Sequence, residues 1–267
     1  MEKYGFNSAR NALRALVREF GIKKIYISFY ICPVIKNALR MENCQTEFYH
    51  IDDNFFPVQD FGEEDFVLYP NYFGICTKNV RKLAEKYKNL IVDNAHSFYS
   101  EPFGFASFNS CRKFFFNRYG LKDGAFLSVS RPLKTVYPKD QTIYAVIENN
   151  FDFNDFLKNE KRVDEFEILT VSDSSMLILK SIDFEKDKKE RLECFFELSE
   201  KFGKANELKI EPEKGEIPFV YPLLMRDENL AEKITKGNDF VLRYWTNLPE
   251  SFNEYKFYRY LIPIPLI

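Results

Sequence analysis

The sequence contains few histidines, no closely paired cysteines and no excess of either charge. Two histidines and five widely spaced cysteines, without any C-x-x-C, argue against a disulfide framework and against a metal site. No apolar run approaches the roughly 20 residues of a membrane span, and the N-terminus lacks a secretory signal pattern. The formal net charge of -2 lacks the basic excess of nucleic-acid-binding proteins. We therefore predict a cytoplasmic protein that binds no metal, no nucleic acid and no membrane.

The chain is rich in apolar and aromatic residues. Apolar residues make up 45% of its 267 residues, and 29 phenylalanines and 16 tyrosines contribute to an aromatic content of 17%. This length suffices for one large domain, or for one medium domain with a small appendage. We expect a soluble globular protein whose core is packed largely with aromatic rings.

Strand and helix patterns alternate along the first half of the chain. Short apolar runs predict strands at 23–30, 46–52, 65–74, 89–93, 104–108 and 124–130. Apolar residues at helical spacing predict helices at 8–20, 33–41 and 77–87. Such alternation favours an α/β fold, in which helices cover both faces of a mainly parallel central sheet. In such sheets, ligands bind beyond the carboxyl ends of the strands.

The pattern changes after residue 150. A long mixed-charge helix is predicted around 183–202, and residues 218–249 read as strand, helix and strand. We therefore predict a large ligand-binding α/β domain at 1–180. A long helix and a small C-terminal α+β domain are predicted at 181–267.

Two residues that follow predicted strands could take part in catalysis. Asp93 ends the strand "LIVD", where it is either a turn residue or a carboxylate partner for a protonated ring nitrogen. Pyridoxal phosphate needs such a partner, because its charged pyridinium ring is the electron sink for carbanion chemistry. Lys113 lies in "SCRKFFF", where it is either a surface lysine over phenylalanine rings or an amine in an apolar pocket suited to Schiff-base chemistry. We expect the aromatic run to fix a loop that carries Lys113.

A third candidate is the helix start in "NSARNAL" (7–13). Ser8 can cap this helix, and the free backbone N–H groups of a helix start bind phosphate well. Arg10 and Asn11 could add side-chain donors. An ordinary capped helix explains the same residues.

These pieces occur in an order that resembles the fold-type I pyridoxal phosphate enzymes, and within them a short variant of the DegT/DnrJ/StrS-type sugar aminotransferases. The similar segments are "NSARNALRAL", "SFYICPVIKNAL", "VLYPNYFGI", "IVDNAHSFYS" and "SCRKFFFNRYGLKDGAFL". Three further segments show a weaker similarity. "SIDFEKDKKERLECF" resembles the interdomain helix of that family, and "IPFVYPLLM" and "YLIPIPL" resemble strands of its small domain.

The resemblance assigns a role to each candidate residue. Lys113 would be the covalent anchor of pyridoxal 5'-phosphate and would move protons, and Asp93 would pair with the ring nitrogen. His96 would lie near the ring and its phenolic oxygen, and Tyr30 would cover a face of the ring. The phosphate would be held by Ala9, Arg10, Asn11 and Ser110.

The implied function is amino transfer by a homodimer. A glutamate-like amino acid would be the donor and a nucleotide-linked keto-sugar the acceptor, in surface polysaccharide synthesis. Two departures favour a degenerate homologue that binds a ligand or partner without catalysis: Ala9 replaces a glycine, and the C-terminal half is reduced. A third hypothesis is an unrelated doubly wound binding domain in which Lys113 is structural.

Overall fold

The central element of the fold is a seven-stranded sheet with mostly parallel pairing. The computed structural model describes residues 1–143, 153–163, 167–236, 243–245 and 248–267. The strands of this sheet are β1 (Glu2–Phe6), β2 (Lys24–Ser28), β3 (Gln45–Tyr49), β4 (Phe66–Pro70), β5 (Leu90–Asn94), β6 (Ala106–Asn109) and β7 (Ala125–Val129). Their order is β1-β7-β6-β5-β4-β2-β3, and only β7 with its two neighbours pairs antiparallel. The predicted α/β class with a mainly parallel sheet is confirmed.

Helices lie between the strands of this sheet and after them in the sequence. They are α1 (Ala9–Phe20), α2 (Pro33–Met41), α3 (Thr77–Lys86) and α4 (Cys111–Tyr119), followed by α5 (Phe153–Val163), α6 (Asp173–Ser181) and α7 (Phe184–Phe202). The predicted cap of α1 is present, since the Ser8 side chain accepts a hydrogen bond from the backbone N–H of Asn11. Within the ranges described, no helix is both long and apolar enough to cross a membrane.

Both faces of the sheet are buried, because successive residues of a strand point to opposite sides. Leu68 and Ile91 pack with α1 and α2 on one face. Val67 and Val92 pack with α3 and C-terminal residues on the other. Leu13 of α1 is 0% exposed, and burial of a leucine side chain contributes about 1.5–3 kcal/mol.

A second sheet lies in the C-terminal part of the chain. It pairs β8 (Val220–Leu224) antiparallel with β9 (Leu261–Pro265), and α8 (Glu228–Thr235) and α9 (Tyr255–Tyr260) lie between them in sequence. The predicted strand and helix after 218 are therefore present. The last predicted strand falls mostly on 237–242 and 246–247, outside the described residues. The domain boundary at 180/181 stays a prediction.

Two local differences from the sequence predictions affect the site. Lys113 does not lie on a loop, because α4 begins directly after Ser110 and includes it. The predicted strand 65–74 ends at Pro70, and Tyr72–Gly74 form a short 3-10 helix. In α4 the buried rings of Phe114 and Phe115 supply the packing that holds the helix.

Candidate active site

The candidate site lies at the carboxyl edge of the sheet, where β5 and β6 end side by side. Asp93 is opposite Phe108 and Asn94 is opposite Asn109 in the parallel register of these strands. The next residue, Ser110, begins α4, and Lys113 lies in the first turn of that helix. The register therefore brings the Asp93 and Lys113 segments together, as an active site at this edge requires.

Lys113 and His96 are in direct contact. The Lys113 Nζ atom lies 2.9 Å from His96 Nε2. Burial of the imidazole, together with the positive charge of Lys113, lowers the pKa of His96 well below its ordinary value of 6.5. His96 is therefore neutral, and since an ammonium group can only donate, Nε2 is the nitrogen that accepts.

Asp93 is a buried carboxyl group close enough to Lys113 to feel its charge. Burial raises the pKa of Asp93, whereas the charge of Lys113 and the backbone N–H of Ala95 oppose the rise. Its Oδ1 atom accepts that N–H at 2.8 Å, so Asp93 does form the turn that its position suggested. A buried carboxylate of this kind is stabilised by a cationic partner.

Aromatic rings surround His96. Phe219 stacks on the imidazole with centroids 4.8 Å apart, and Trp245 stacks at 5.4 Å with an angle of 9° between the planes. Trp245 also meets Tyr30 edge-on at 4.6 Å. These rings exclude water from the side of the site next to the imidazole, which explains its depressed pKa.

Gly74 brings the C-terminal segment beside His96. Its φ of 76° lies in the left-handed region, and a Cβ there would lie 2.5 Å from the carbonyl oxygen of His96. The preceding residue, Phe73, accepts a backbone hydrogen bond of 2.8 Å from Phe219. Glycine at 74 therefore permits the backbone approach that places Phe219 on His96.

The starts of α1 and α4 meet at Gly124. The Gly124 N–H donates to the carbonyl of Asn7 at 2.8 Å, and its carbonyl accepts the N–H of Cys111 at 3.0 Å. Gly124 has a φ of 115°, a conformation that other residues rarely adopt. Because the N-terminus of a helix favours negative charge, two converging starts form a region suited to an anion.

Two arginines from these helix starts share one carboxylate. Arg10 Nη2 lies 3.2 Å from Glu160 Oε2, and Arg112 Nη1 pairs with Oε1 of the same residue. Glu160 belongs to α5, which follows the central sheet in sequence. The two oxygens of one carboxylate are therefore each paired with a different guanidinium group.

The other predicted phosphate ligands have different surroundings. Ala9 is the first residue of α1, and Ser110 is buried at the N-cap of α4 without capping that helix through its side chain. Asn11 has other partners: its amide donates to Asn7 Oδ1 at 2.8 Å, and its oxygen accepts from Arg14 at 3.0 Å. Asn11 therefore braces the helix start.

Tyr30 is fully buried among aromatic rings. Its ring stacks at 5.9 Å on Tyr72 and meets Trp245 and Phe257. Its hydroxyl has no hydrogen-bond partner among the described residues. Trp245 therefore connects Tyr30 to His96, so that the three rings line one side of the site.

Sequence reasoning did not single out three residues of the site. Arg112 precedes Lys113 in the quoted motif, so its position was a usable signal. Trp245 is the one tryptophan of the chain, an equally usable signal in "RYWTNLP". Glu160 lies in a polar segment whose pattern gives no indication of a contact with α1 and α4.

Several solved structures that share this fold are described as aminotransferases. A DegT DnrJ EryC1 StrS aminotransferase from Brucella abortus has a TM-score of 0.65 and 10% identity, over 100% of this chain and 81% of that chain. Helicobacter pylori PseC, an aminotransferase of pseudoaminic acid biosynthesis, has a TM-score of 0.60 and 17% identity over 99% and 81%. The Bacillus subtilis protein ntda, with bound cofactor PMP, has a TM-score of 0.62 and 13% identity over 100% and 69%.

The chain shares the fold of these enzymes. The first of them bears the family name that the sequence resemblance indicated, so the resemblance is confirmed at the level of the fold. No protein-family model matches the chain, and no curated protein sequence matches it either.

Proposed function

We propose that this chain is a pyridoxal phosphate-dependent aminotransferase that acts on a sugar. The observation that carries the proposal is the contact of 2.9 Å between Lys113 and His96, beside the buried carboxyl of Asp93. These groups lie at the carboxyl edge of a sheet whose fold is that of sugar aminotransferases.

The residues present fit the cofactor. Asp93 offers a buried negative charge for a protonated ring nitrogen, and Lys113 offers a primary amine for covalent attachment. Tyr30 remains our choice for a face of the ring, joined by Trp245. The phosphate would be held by Ala9, Arg10, Asn11 and Ser110, to which the structure adds Arg112 as a candidate.

Bound pyridoxal phosphate supplies an electrophilic carbonyl carbon and an electron-withdrawing ring, the chemistry that amino transfer requires. The deprotonated amine of Lys113 would act as the nucleophile, and at other stages of the reaction Nζ would carry a proton. The Nε2 atom of neutral His96 accepts a hydrogen bond from Lys113 Nζ, and this contact fixes the position of the amine. The stacked rings of Phe219 and Trp245 exclude water from this side of the site.

The finer parts of the proposal follow the resemblance. The donor would be a glutamate-like amino acid and the acceptor a nucleotide-linked keto-sugar for surface polysaccharide, with a cytoplasmic homodimer as the active form. The sugar pathway of the Helicobacter pylori neighbour supports a sugar acceptor.

Visible absorbance tests the proposal. The protein purified with pyridoxal phosphate should show a visible band. Borohydride reduction should abolish this band and leave the cofactor permanently attached to Lys113, where peptide mass spectrometry can locate it. Lys113→Ala should lack the band, whereas the matched control Lys204→Ala, at an exposed position, should retain it. Addition of L-glutamate should then change the absorbance band of the wild-type protein. A band of equal strength in Lys113→Ala would refute the proposal.

A second candidate function is that of a non-catalytic homologue. It is favoured by Ala9 in place of glycine and by the Glu160 carboxylate on Arg10 and Arg112. A Lys113-dependent band that glutamate leaves unchanged would support it.

A further inference from the structure

The carboxylate of Glu160 pairs with the two arginines at the starts of α1 and α4. Arg10, Arg112 and Glu160 have side chains that are 8%, 14% and 24% exposed. Two nearly buried guanidinium groups that face one carboxylate form a site for an anion with several oxygens. The Glu160 carboxylate is an anion of the chain itself, and it pairs with the arginines as the phosphate group of a bound ester would.

We propose that Glu160 is a built-in competitor for this anion site. It neutralises Arg10 and Arg112 when no ligand is bound, and it gives way to the phosphate group of the ligand. The inference rests on the proposed function, because that function identifies the ligand as a phosphate ester.

The attachment of α5 allows this exchange. Asn159 donates to the carbonyl of Lys122 at 2.6 Å, and Arg162 pairs with Asp140 and donates to Thr142 Oγ1 at 3.0 Å. These contacts anchor the helix on both sides of Glu160 without using its carboxylate. The Glu160 side chain can therefore turn toward solvent while α5 stays in place.

Charge decides which anion prevails. A phosphate monoester carries about -1.5 to -2 charges at neutral pH, whereas a carboxylate carries one. The arginine pair therefore holds the phosphate more strongly than Glu160. Displacement of Glu160 nevertheless lowers the apparent affinity, because only the fraction of molecules with an open site can bind.

Glu160→Gln tests the inference, since it keeps the shape of the side chain and removes the charge. We expect pyridoxal phosphate and inorganic phosphate, titrated separately by calorimetry, to bind about tenfold more tightly to the variant than to wild type. Glu167→Gln is the matched control, because Glu167 is exposed and the change in net charge is the same. Its affinities should equal those of wild type.

The inference would be overturned if the affinity of Glu160→Gln did not increase. If Glu160→Gln binds both ligands with equal or lower affinity, Glu160 orients the arginines and does not compete. Circular dichroism checks the fold, and Glu160→Asp provides a second variant whose shorter carboxylate should give an intermediate gain. Absence of a Lys113-dependent band in wild type would instead refute the proposed function, and the phosphate titration would still report on Glu160.

Discussion

The two ends of the candidate site are held by different forces. The ring end, which comprises Asp93, His96 and Lys113, is shaped by burial and by stacked aromatic rings. Burial there sets the protonation states, since it raises the pKa of one group and lowers that of another. Its properties should therefore depend on packing and change little with salt.

The anion end, which comprises Arg10, Arg112 and Glu160, is held by charge. Its groups come from α1, α4 and α5, and their contacts are ion pairs. The two ends should therefore respond to different changes. Loss of packing should disturb the chemistry at the ring end, whereas loss of charge should disturb phosphate binding at the anion end. Four experiments challenge that separation.

The largest effect is expected from Asp93→Asn at the ring end. An amide preserves the acceptor for the Ala95 N–H but removes the buried negative charge. We expect the rate of the glutamate half-reaction to fall by about a hundred- to a thousandfold. Stopped-flow absorbance measures it, and phosphate affinity, which belongs to the anion end, should be unchanged. A rate close to wild type would remove Asp93 from the proposed mechanism.

Gly74→Ala tests how far the ring end depends on backbone packing. The new Cβ would meet the carbonyl oxygens of His96 and Ile217 at 2.5 and 3.0 Å. Gly21→Ala is the control, since Gly21 has a similar φ of 61° with nothing within 4 Å. We expect Gly74→Ala to lower the free energy of unfolding by about 2 kcal/mol more than the control. Urea denaturation followed by circular dichroism measures both, and equal losses would show that the approach to His96 is loose.

The depressed pKa of His96 predicts a pH dependence of stability. Below pH 6.5 the unfolded chain takes up a proton that the folded chain resists, so the free energy of unfolding falls as pH decreases. This contribution is at most about 1.4 kcal/mol per pH unit. His96→Gln should lose it, and the difference from wild type between about pH 5 and 6.5 measures it. Persistence of the full slope in His96→Gln would assign it to other groups.

Salt should produce the smallest effect, and at the anion end only. We expect the affinity for pyridoxal phosphate to fall about threefold between low and moderate ionic strength, because the arginine pair is screened. Pyridoxal, which lacks the phosphate, should show almost no dependence. Equal salt dependence of the two ligands, measured by absorbance titration, would erase the distinction between the two ends.

The periodic parts of this fold were predictable from sequence. The predicted helix at 33–41 coincides with α2, and the strand "LIVD" coincides with β5 to within a residue. Burial on both faces produces continuous apolar strands, which are easy to recognise. β1 was not predicted, because a five-residue strand whose first two residues are exposed resembles a terminal segment.

The ring end was also within reach of sequence reasoning, whereas the anion end was only partly so. Asp93 ends a predicted strand, and His96 and Lys113 each follow one; the sheet brings such positions together. Glu160 meets Arg10 across a sequence separation of 150 residues, a contact that no local pattern encodes. The placement of Lys113 on a helix was missed because α4 has little amphipathic periodicity, with apolar rings at consecutive positions.

Trp245 gives the candidate site its own optical signal. Because the sequence contains a single tryptophan, all tryptophan emission of the protein arises beside His96. Unfolding followed by tryptophan fluorescence therefore reports the opening of this pocket, while far-ultraviolet circular dichroism reports the sheet and helices. If the two curves separate along the denaturant axis, the pocket opens as a local unit before the fold is lost.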